Sequence, residues 1–108
     1  SKWAVVGLGA TLAMELGEFG ISVNTLCPGS VGGDRMDRVI AAEATATGAT
    51  SDEIRTGYQN QVSMRTFVEA EDIAAMAVFL ASPAARYVSG QTISVDGGLE
   101  TLRNAWRT

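Results

Sequence analysis

The chain has 108 residues, of which 46% are hydrophobic and 19% are charged, which is typical of one globular domain and too little for two. Twelve acidic side chains against eight basic ones give a net charge of −4, so the chain lacks the basic surface that nucleic acids require. It contains no histidine and one cysteine, which excludes a Ser-His-Asp triad, a histidine metal site and an internal disulfide within these residues.

The first predicted element is a helix from Lys2 to Phe19, because apolar residues recur along it at helical spacing. Its most apolar stretch, Trp3 to Met14, is shorter than the roughly 20 residues that cross a bilayer. We therefore expect a buried helix and no membrane partner. No N-cap signal precedes Lys2, which predicts that the chain starts inside an element of a longer protein. The lone Cys27 and the lack of a visible secretory signal favour a cytoplasmic protein.

Small residues mark this first helix. Gly20 follows it where a left-handed C-terminal cap is expected. The sequence Gly7-Leu8-Gly9 lies inside the helix and lacks a third glycine after a strand, so packing explains it better than dinucleotide binding. Three small residues spaced four apart predict that another helix approaches closely: Gly9, Ala13 and Gly17.

Alternating apolar residues predict a strand from Ile21 to Cys27, which Pro28-Gly29 ends. A glycine-rich loop from Pro28 to Asp34 follows. A helix is predicted next, from Asp34 or Arg35 to about Ala46, with a surface ion pair between Asp34 and Arg38.

The segment from Ala44 to Thr50 is rich in alanine and threonine and is predicted to be a flexible joint. Thr50 and Glu53 match a capping box, which predicts a further helix from Ser51 to about Gln61. Ile54, Tyr58 and Val62 form the apolar side of this helix.

A last helix is predicted from Glu69 to Ser82, where Pro83 stops it, and a strand from Gln91 to Val95 follows. The turn Asp96-Gly97-Gly98 ends that strand. The alternation of helices and strands indicates an α/β fold with parallel strands. Because two strands make a poor sheet, we expect a further strand to pair with the edge of the first one.

Three segments together resemble the short-chain dehydrogenase/reductase family. Ser1-Lys2 opens a glycine- and alanine-rich helix as in the family's Tyr-x-x-x-(Ser)-Lys element. Ile21-Ser-Val-Asn-Thr-Leu-Cys-Pro-Gly29 is similar to the family's strand that ends in Pro-Gly. Val88-Ser-Gly-Gln-Thr-Ile-Ser-Val-Asp-Gly-Gly98 is similar to its closing strand and turn. The three segments occur in the family's order and span nearly the whole chain.

The resemblance implies that residues 1–108 are the C-terminal part of a single doubly wound, Rossmann-like domain, to which they contribute the last two strands and flanking helices. The missing N-terminal half would carry the phosphate loop and the catalytic serine and tyrosine, the latter three residues before Ser1. The resemblance also implies a homo-oligomer, either a dimer or a tetramer.

The resemblance assigns Lys2 as the active-site lysine, which binds the nicotinamide ribose and lowers the pKa of the catalytic tyrosine. The alternative is an ordinary surface lysine. Pro28, Gly29 and Val31 would face the nicotinamide of NAD or NADP, with the Val31 backbone on the carboxamide. An ordinary Pro-Gly turn is the alternative. Where the family often has threonine the chain has Gly33, so Ser30 or Asp34 would replace that contact.

The segment that covers the substrate in this family contains Met36, Tyr58 and Met64, for which core packing is an equally good interpretation. The leading hypothesis is an NAD(P)-dependent oxidoreductase that moves hydride between the cofactor and a small carbonyl or alcohol substrate, inactive as this segment alone. A catalytically inert, nucleotide-binding oligomeric scaffold is the second hypothesis. An independent small interaction domain is the third.

Overall fold

A computed structural model of the chain describes residues 2–99. These residues form two compact units. The strand unit consists of residues 2–27 and 71–95, and the loop unit of residues 28–70 and 96–99. In chain order the elements are α1 (Lys2–Leu16), β1 (Thr25–Pro28), α2 (Asp34–Thr47), α3 (Ser51–Asn60), α4 (Ala70–Leu80) and β2 (Thr92–Val95).

The strand unit begins with α1, which ends as an α-helix at Leu16 and continues as a 3-10 turn over Gly17–Phe19. Gly20 then adopts a left-handed conformation, with φ of 75°, and its N–H donates to the Gly17 carbonyl. The predicted glycine cap is confirmed. The predicted helix is right in position, although its last three residues form the tighter turn.

The two strands form a parallel pair, as the α/β order predicts. β1 starts at Thr25, so the prediction of a strand from Ile21 was wrong at its N-terminal end. The Asn24 side chain is the physical reason, because it bonds the turn before β2. Its Nδ2 donates to the Val88 carbonyl at 2.9 Å, and its Oδ1 accepts from the Gln91 N–H at 3.1 Å.

Within residues 2–99 the close neighbour of Gly9 is a strand and not the predicted helix, and an added Cβ on Gly17 would have no atom within 4 Å. A Cβ placed on Gly9 would lie 2.5 Å from the Thr25 hydroxyl oxygen of β1. A Cβ on Gly90, in the turn before β2, would lie 3.5 Å from the Ala13 Cβ. Gly9 is therefore a packing residue, which agrees with its rejection as part of a dinucleotide motif.

The strand unit has little core of its own. Ala85 is its only fully enclosed apolar residue among those described, and α1 contains no buried residue. The prediction that α1 is a buried helix is wrong within residues 2–99, because two four-residue strands and α4 offer too little surface to cover it. Large apolar side chains of this unit are exposed to solvent: Trp3, Leu8, Met14, Phe19 and Val78.

The loop unit contains the two helices α2 and α3, which pack against each other. Thr50 caps α3 through the full capping box with Glu53, as predicted. The segment from Ala44 to Thr47, expected to be part of a joint, is the last turn of α2, because Gly48 ends the helix with φ of 78°.

Charged side chains link these two helices. The predicted pair within α2, between Asp34 and Arg38, does not form. Among the described residues the ion pair instead joins Asp37 of α2 to Arg55 of α3 at 2.8 Å. The Arg55 guanidinium also lies 5.6 Å from the centre of the Phe67 ring. Contact between neighbouring helices therefore decides the pairing here, while sequence spacing within one helix does not.

The core of the loop unit is small but enclosed. Ile40 of α2 has 1% of its surface exposed, and three residues after α3 are similarly buried: Val62, Phe67 and Val68. The buried residues thus lie in α2 and in the segment between α3 and α4. Over residues 2–99, no helix has both the length and the apolar character needed to span a bilayer.

Candidate functional site

The loop that follows β1 is the centre of the candidate site. Its residues Ser30 and Gly32 form two backbone hydrogen bonds with Val68: the Val68 N–H donates to the Ser30 carbonyl at 3.1 Å, and the Gly32 N–H donates to the Val68 carbonyl at 2.8 Å. Val31 and Val68 thus form a parallel β-bridge. Since Val68 is 8% exposed, a buried residue holds one side of the loop.

Val31 presents its own backbone groups away from Val68. In a parallel bridge the partner bonds the residues on either side, so the central N–H and C=O point to the opposite edge. Within residues 2–99 neither of these two Val31 groups has a hydrogen-bond partner. Within that range Val31 therefore offers one free donor and one free acceptor side by side. This arrangement is complementary to a primary amide, which has both an N–H and a carbonyl oxygen.

Gly29 lies against Asp96 on another side of the loop. A Cβ added to Gly29 would come within 2.7 Å of the Asp96 Cβ and 2.8 Å of its Cα. Only glycine leaves room for the two backbones to lie this close. Pro28, the last residue of β1, is exposed just before this contact. The predicted loop residues therefore form one continuous, supported segment at the C-terminal end of a strand, where α/β sheets bind ligands.

Asp96 holds the turn that supports Gly29. Its Oδ1 accepts the N–H of Gly98 at 2.8 Å and that of Leu99 at 3.2 Å. The Gly97 carbonyl in the same turn accepts the Met64 N–H at 3.0 Å. Sequence reasoning found this turn only as the end of a strand. The Asp-Gly-Gly sequence was the available signal, since an aspartate followed by glycines is typical of side-chain-stabilised turns.

Lys2 is the first described residue of α1, and its side chain is exposed. It belongs to the strand unit, whereas the other six candidate residues belong to the loop unit. An exposed ammonium is available to a ligand or to another part of the protein. The same exposure also fits a surface lysine, so its role stays a prediction.

Tyr58 lies in α3 and donates a short hydrogen bond from its hydroxyl to Glu43 of α2. This hydrogen bond is the largest cause that raises the pKa of Tyr58 above its usual value, followed by desolvation and by the charge of Glu43. The phenol is thus held protonated and is engaged by α2. It lines an open depression on the surface of α2 and α3 together with Ile54 and Gly57.

The two candidate methionines differ in their surroundings. Met36, in the first turn of α2, is half-buried. Met64 is 71% exposed, and its backbone is bonded to the Asp96 turn. Exposure of Met64 fits a surface that meets a ligand better than it fits a core. Over residues 2–99 no three metal-ligating side chains converge.

Comparison with known proteins identifies close relatives. A family profile described as enoyl-(acyl carrier protein) reductase matches residues 1–100. The 3-oxoacyl-[acyl-carrier-protein] reductase FabG of Staphylococcus epidermidis is 38% identical over 99 residues, which cover 92% of this chain and 36% of the relative. The chain thus spans about a third of the length of the curated relatives that it matches.

Solved structures show the same similarity. A short-chain dehydrogenase family protein from Francisella tularensis superposes with a TM-score of 0.84 at 30% identity, covering 91% of this chain and 40% of that one. YwfH, described as an NADPH-dependent reductase involved in bacilysin biosynthesis, superposes with a TM-score of 0.79 at 30% identity, covering 91% and 37%. Both have the α/β architecture of the elements described above.

Proposed function

Because the chain belongs to the short-chain dehydrogenase/reductase family, we propose that the protein containing it is an NAD(P)-dependent oxidoreductase. It would transfer hydride between the nicotinamide cofactor and a small carbonyl or alcohol substrate. The observation that carries this proposal is the unpaired N–H and C=O of Val31, in a loop supported on two sides.

The loop residues fit the nicotinamide end of the cofactor. The Val31 N–H would donate to the carboxamide oxygen, and its C=O would accept from the carboxamide nitrogen. Gly29 and Pro28 present no large side chain toward the ring. The bound cofactor supplies or accepts the hydride, and the loop residues fix its orientation. The NADPH-dependent relative supports this cofactor class, and NAD remains the other member of it.

Lys2 would act on the proton that accompanies the hydride. We propose that its ammonium lies beside a tyrosine hydroxyl supplied by the longer protein and stabilises the phenolate. At ~4 Å and an effective dielectric of about 20 this interaction is worth ~4 kcal/mol, or roughly 3 pK units. A phenol that titrates near 10 would then exchange its proton near neutral pH. Lys2 is exposed at the start of α1, so its ammonium is accessible to such a tyrosine.

The chain is proposed to form the C-terminal part of one Rossmann-like domain, with β1 and β2 as its last strands. Coverage of 36% of the relative's length supports its being one part of a longer domain. The exposed apolar side chains of the strand unit also support it, because they need cover from further helices and strands. A homo-oligomer, either a dimer or a tetramer, is also part of the proposal. A cytoplasmic location and a small-molecule partner are further parts of the proposal.

The proposal is tested with the full-length polypeptide that contains these residues. NADH and NADPH binding are measured by fluorescence, and turnover is measured with a panel of ketones, aldehydes and alcohols. Lys2→Met should lower kcat/KM by about 100- to 1,000-fold, because most of the ~4 kcal/mol is lost. The variant should also shift the alkaline limb of the pH–activity profile to higher pH, because the pKa of the tyrosine phenol rises. Arg35→Met, which removes an exposed cation from α2, is the matched control and should change neither.

Two results would contradict the proposal in different ways. Cofactor binding without turnover on any substrate would favour the nucleotide-binding scaffold. Full activity of Lys2→Met would show that Lys2 is an ordinary surface lysine.

A further inference from the structure

The turn at Asp96 has the geometry of a support for the loop after β1. The Asp96 Oδ1 accepts hydrogen bonds from the N–H groups of Gly98 and Leu99. These two bonds close the turn on itself. An ionised acceptor bonded to two backbone donors makes the turn more rigid than its glycines alone would, since charge-assisted bonds are the stronger class.

The closed turn is bound to the segment between α3 and α4. The Ser63 hydroxyl donates to the Gly97 carbonyl at 3.1 Å, and the Met64 N–H donates to the same oxygen at 3.0 Å. A Cβ on Gly97 would lie 2.8 Å from a methyl carbon of Val62, which is 3% exposed. The turn therefore rests on the buried core of the loop unit.

The opposite side of Asp96 meets Gly29. The Cα, Cβ and carbonyl oxygen of Asp96 lie within 2.7 to 3.3 Å of the position that a Gly29 Cβ would take. A side chain at position 29 would therefore clash with Asp96, so the backbone of Gly29 lies directly against the turn. Two residues later, Val31 is bridged to Val68. The loop is thus held at two points, and the residue with unpaired backbone groups lies at one of them.

We infer that Asp96 is a positioning residue for the nicotinamide: its carboxylate closes the turn that fixes Gly29, and thereby the orientation of the Val31 N–H and C=O. This inference rests on the proposed function, in which those groups bind the carboxamide. Asp96 touches neither cofactor nor substrate. Its removal should weaken binding of the cofactor and leave the substrate's own KM unchanged at saturating cofactor.

The test compares three variants of the full-length polypeptide. Asp96→Ala removes the acceptor, and the dissociation constant of the preferred cofactor should rise about tenfold, as expected for loss of hydrogen bonds to a charged group. Asp96→Asn keeps an oxygen acceptor in the same place and should restore binding to within about threefold of the original. Asp52→Ala removes an exposed carboxylate from the first turn of α3 and should leave the constant unchanged.

Measurement of both kcat and the cofactor dissociation constant distinguishes a positioning role of Asp96 from a general loss of folded protein. A purely structural defect lowers the fraction of active protein, so kcat falls while the dissociation constant of the remaining folded protein stays the same. If Asp96→Ala fails to fold, Ser63→Ala is the milder variant, because it removes one bond to the turn and keeps the carboxylate. It should raise the dissociation constant about threefold, in proportion to one neutral hydrogen bond.

The possible failures are distinguishable. If the unaltered protein binds cofactor and both Asp96→Ala and Ser63→Ala bind it equally well, the positioning role is overturned and the proposed function stands. If the unaltered protein binds neither NADH nor NADPH, the proposed function is refuted and this inference with it. Failure of Asp96→Asn to rescue Asp96→Ala would also overturn the role assigned to the acceptor oxygen.

Discussion

Replacement of Gly97 by alanine should be among the most damaging changes of a single methyl group in the loop unit. Gly97 has φ of 70°, a conformation that costs a residue with a Cβ about 1–2 kcal/mol. Its added Cβ would also lie 2.8 Å from the buried Val62 methyl, where ordinary carbon contacts are about 3.5–4.0 Å. Overpacking of this kind costs about 1–3 kcal/mol. The two terms together predict a loss of about 2–5 kcal/mol.

Alanine substitutions at three other glycines of the loop unit distinguish the cost of the backbone conformation from the cost of the steric clash. Gly48 has φ of 78° and no atom within 4 Å of its added Cβ, so alanine there should cost only the backbone term, about 1–2 kcal/mol. Gly29 has no positive φ but clashes with Asp96, so alanine should cost the packing term, about 1–3 kcal/mol. Gly57 has neither feature and lies inside α3, so alanine should stabilise the protein by about 0.8–1 kcal/mol.

The assay is urea unfolding of the full-length polypeptide and the four single variants, followed by far-ultraviolet circular dichroism. The free energy of unfolding should fall in the order Gly57→Ala, unaltered protein, Gly48→Ala, Gly97→Ala, with Gly29→Ala below the unaltered protein. If Gly97→Ala proves no more destabilising than Gly48→Ala, the close contact with Val62 is absent and the support of the turn by the core is refuted.

Three further predictions concern single side chains. Asn24→Ala should lower the free energy of unfolding by about 2 kcal/mol, because two hydrogen bonds to the turn before β2 are lost at about 1 kcal/mol each; chemical denaturation checks this, and an unchanged midpoint would contradict it. Thr50→Ala should cost about 1 kcal/mol through loss of the capping box, whereas Thr50→Ser should cost almost nothing. The raised folded-state pKa of Tyr58 stabilises the fold below about pH 10, and this contribution should disappear as the pH rises through the folded pKa. Denaturation at pH 8 to 11 should therefore show a steeper alkaline loss for the unaltered protein than for Tyr58→Phe, and parallel curves would refute the link to Glu43.

The sequence predicts the elements of this fold well where a local signal controls them. The capping box places the start of α3 within one residue, and Gly20 marks the left-handed cap after α1. The predictions fail where the bounds of an element depend on contacts with residues distant in the sequence. Residues 21–24 alternate like a strand, yet the Asn24 side chain bonds the turn before β2 and the paired strand begins later. No local pattern contains the position of that turn.

Prediction of the candidate site has the same limit. The Pro-Gly loop could be located from its residues, because proline and glycine end a strand whatever lies around them. The support behind the loop could not be located. Asp96 follows Gly29 by 67 positions in the chain, and their contact depends on the turn that Asp96 itself closes. The pairing of Arg55 with Asp37, instead of a pair within α2, is likewise set by the packing of two helices.

The two units therefore differ in how much they depend on the rest of the protein to cover their apolar residues. The loop unit has its own buried residues beneath the segment that carries Val31, so the cofactor-orienting part of the proposed site is supported from within this chain. The strand unit buries almost nothing, and α1, which carries Lys2, exposes its apolar side chains. Correct placement of the Lys2 ammonium then depends on elements that cover α1. Changes on that covering surface should lower kcat through Lys2, while changes around Asp96 should weaken cofactor binding, and the two effects should be separable by steady-state kinetics.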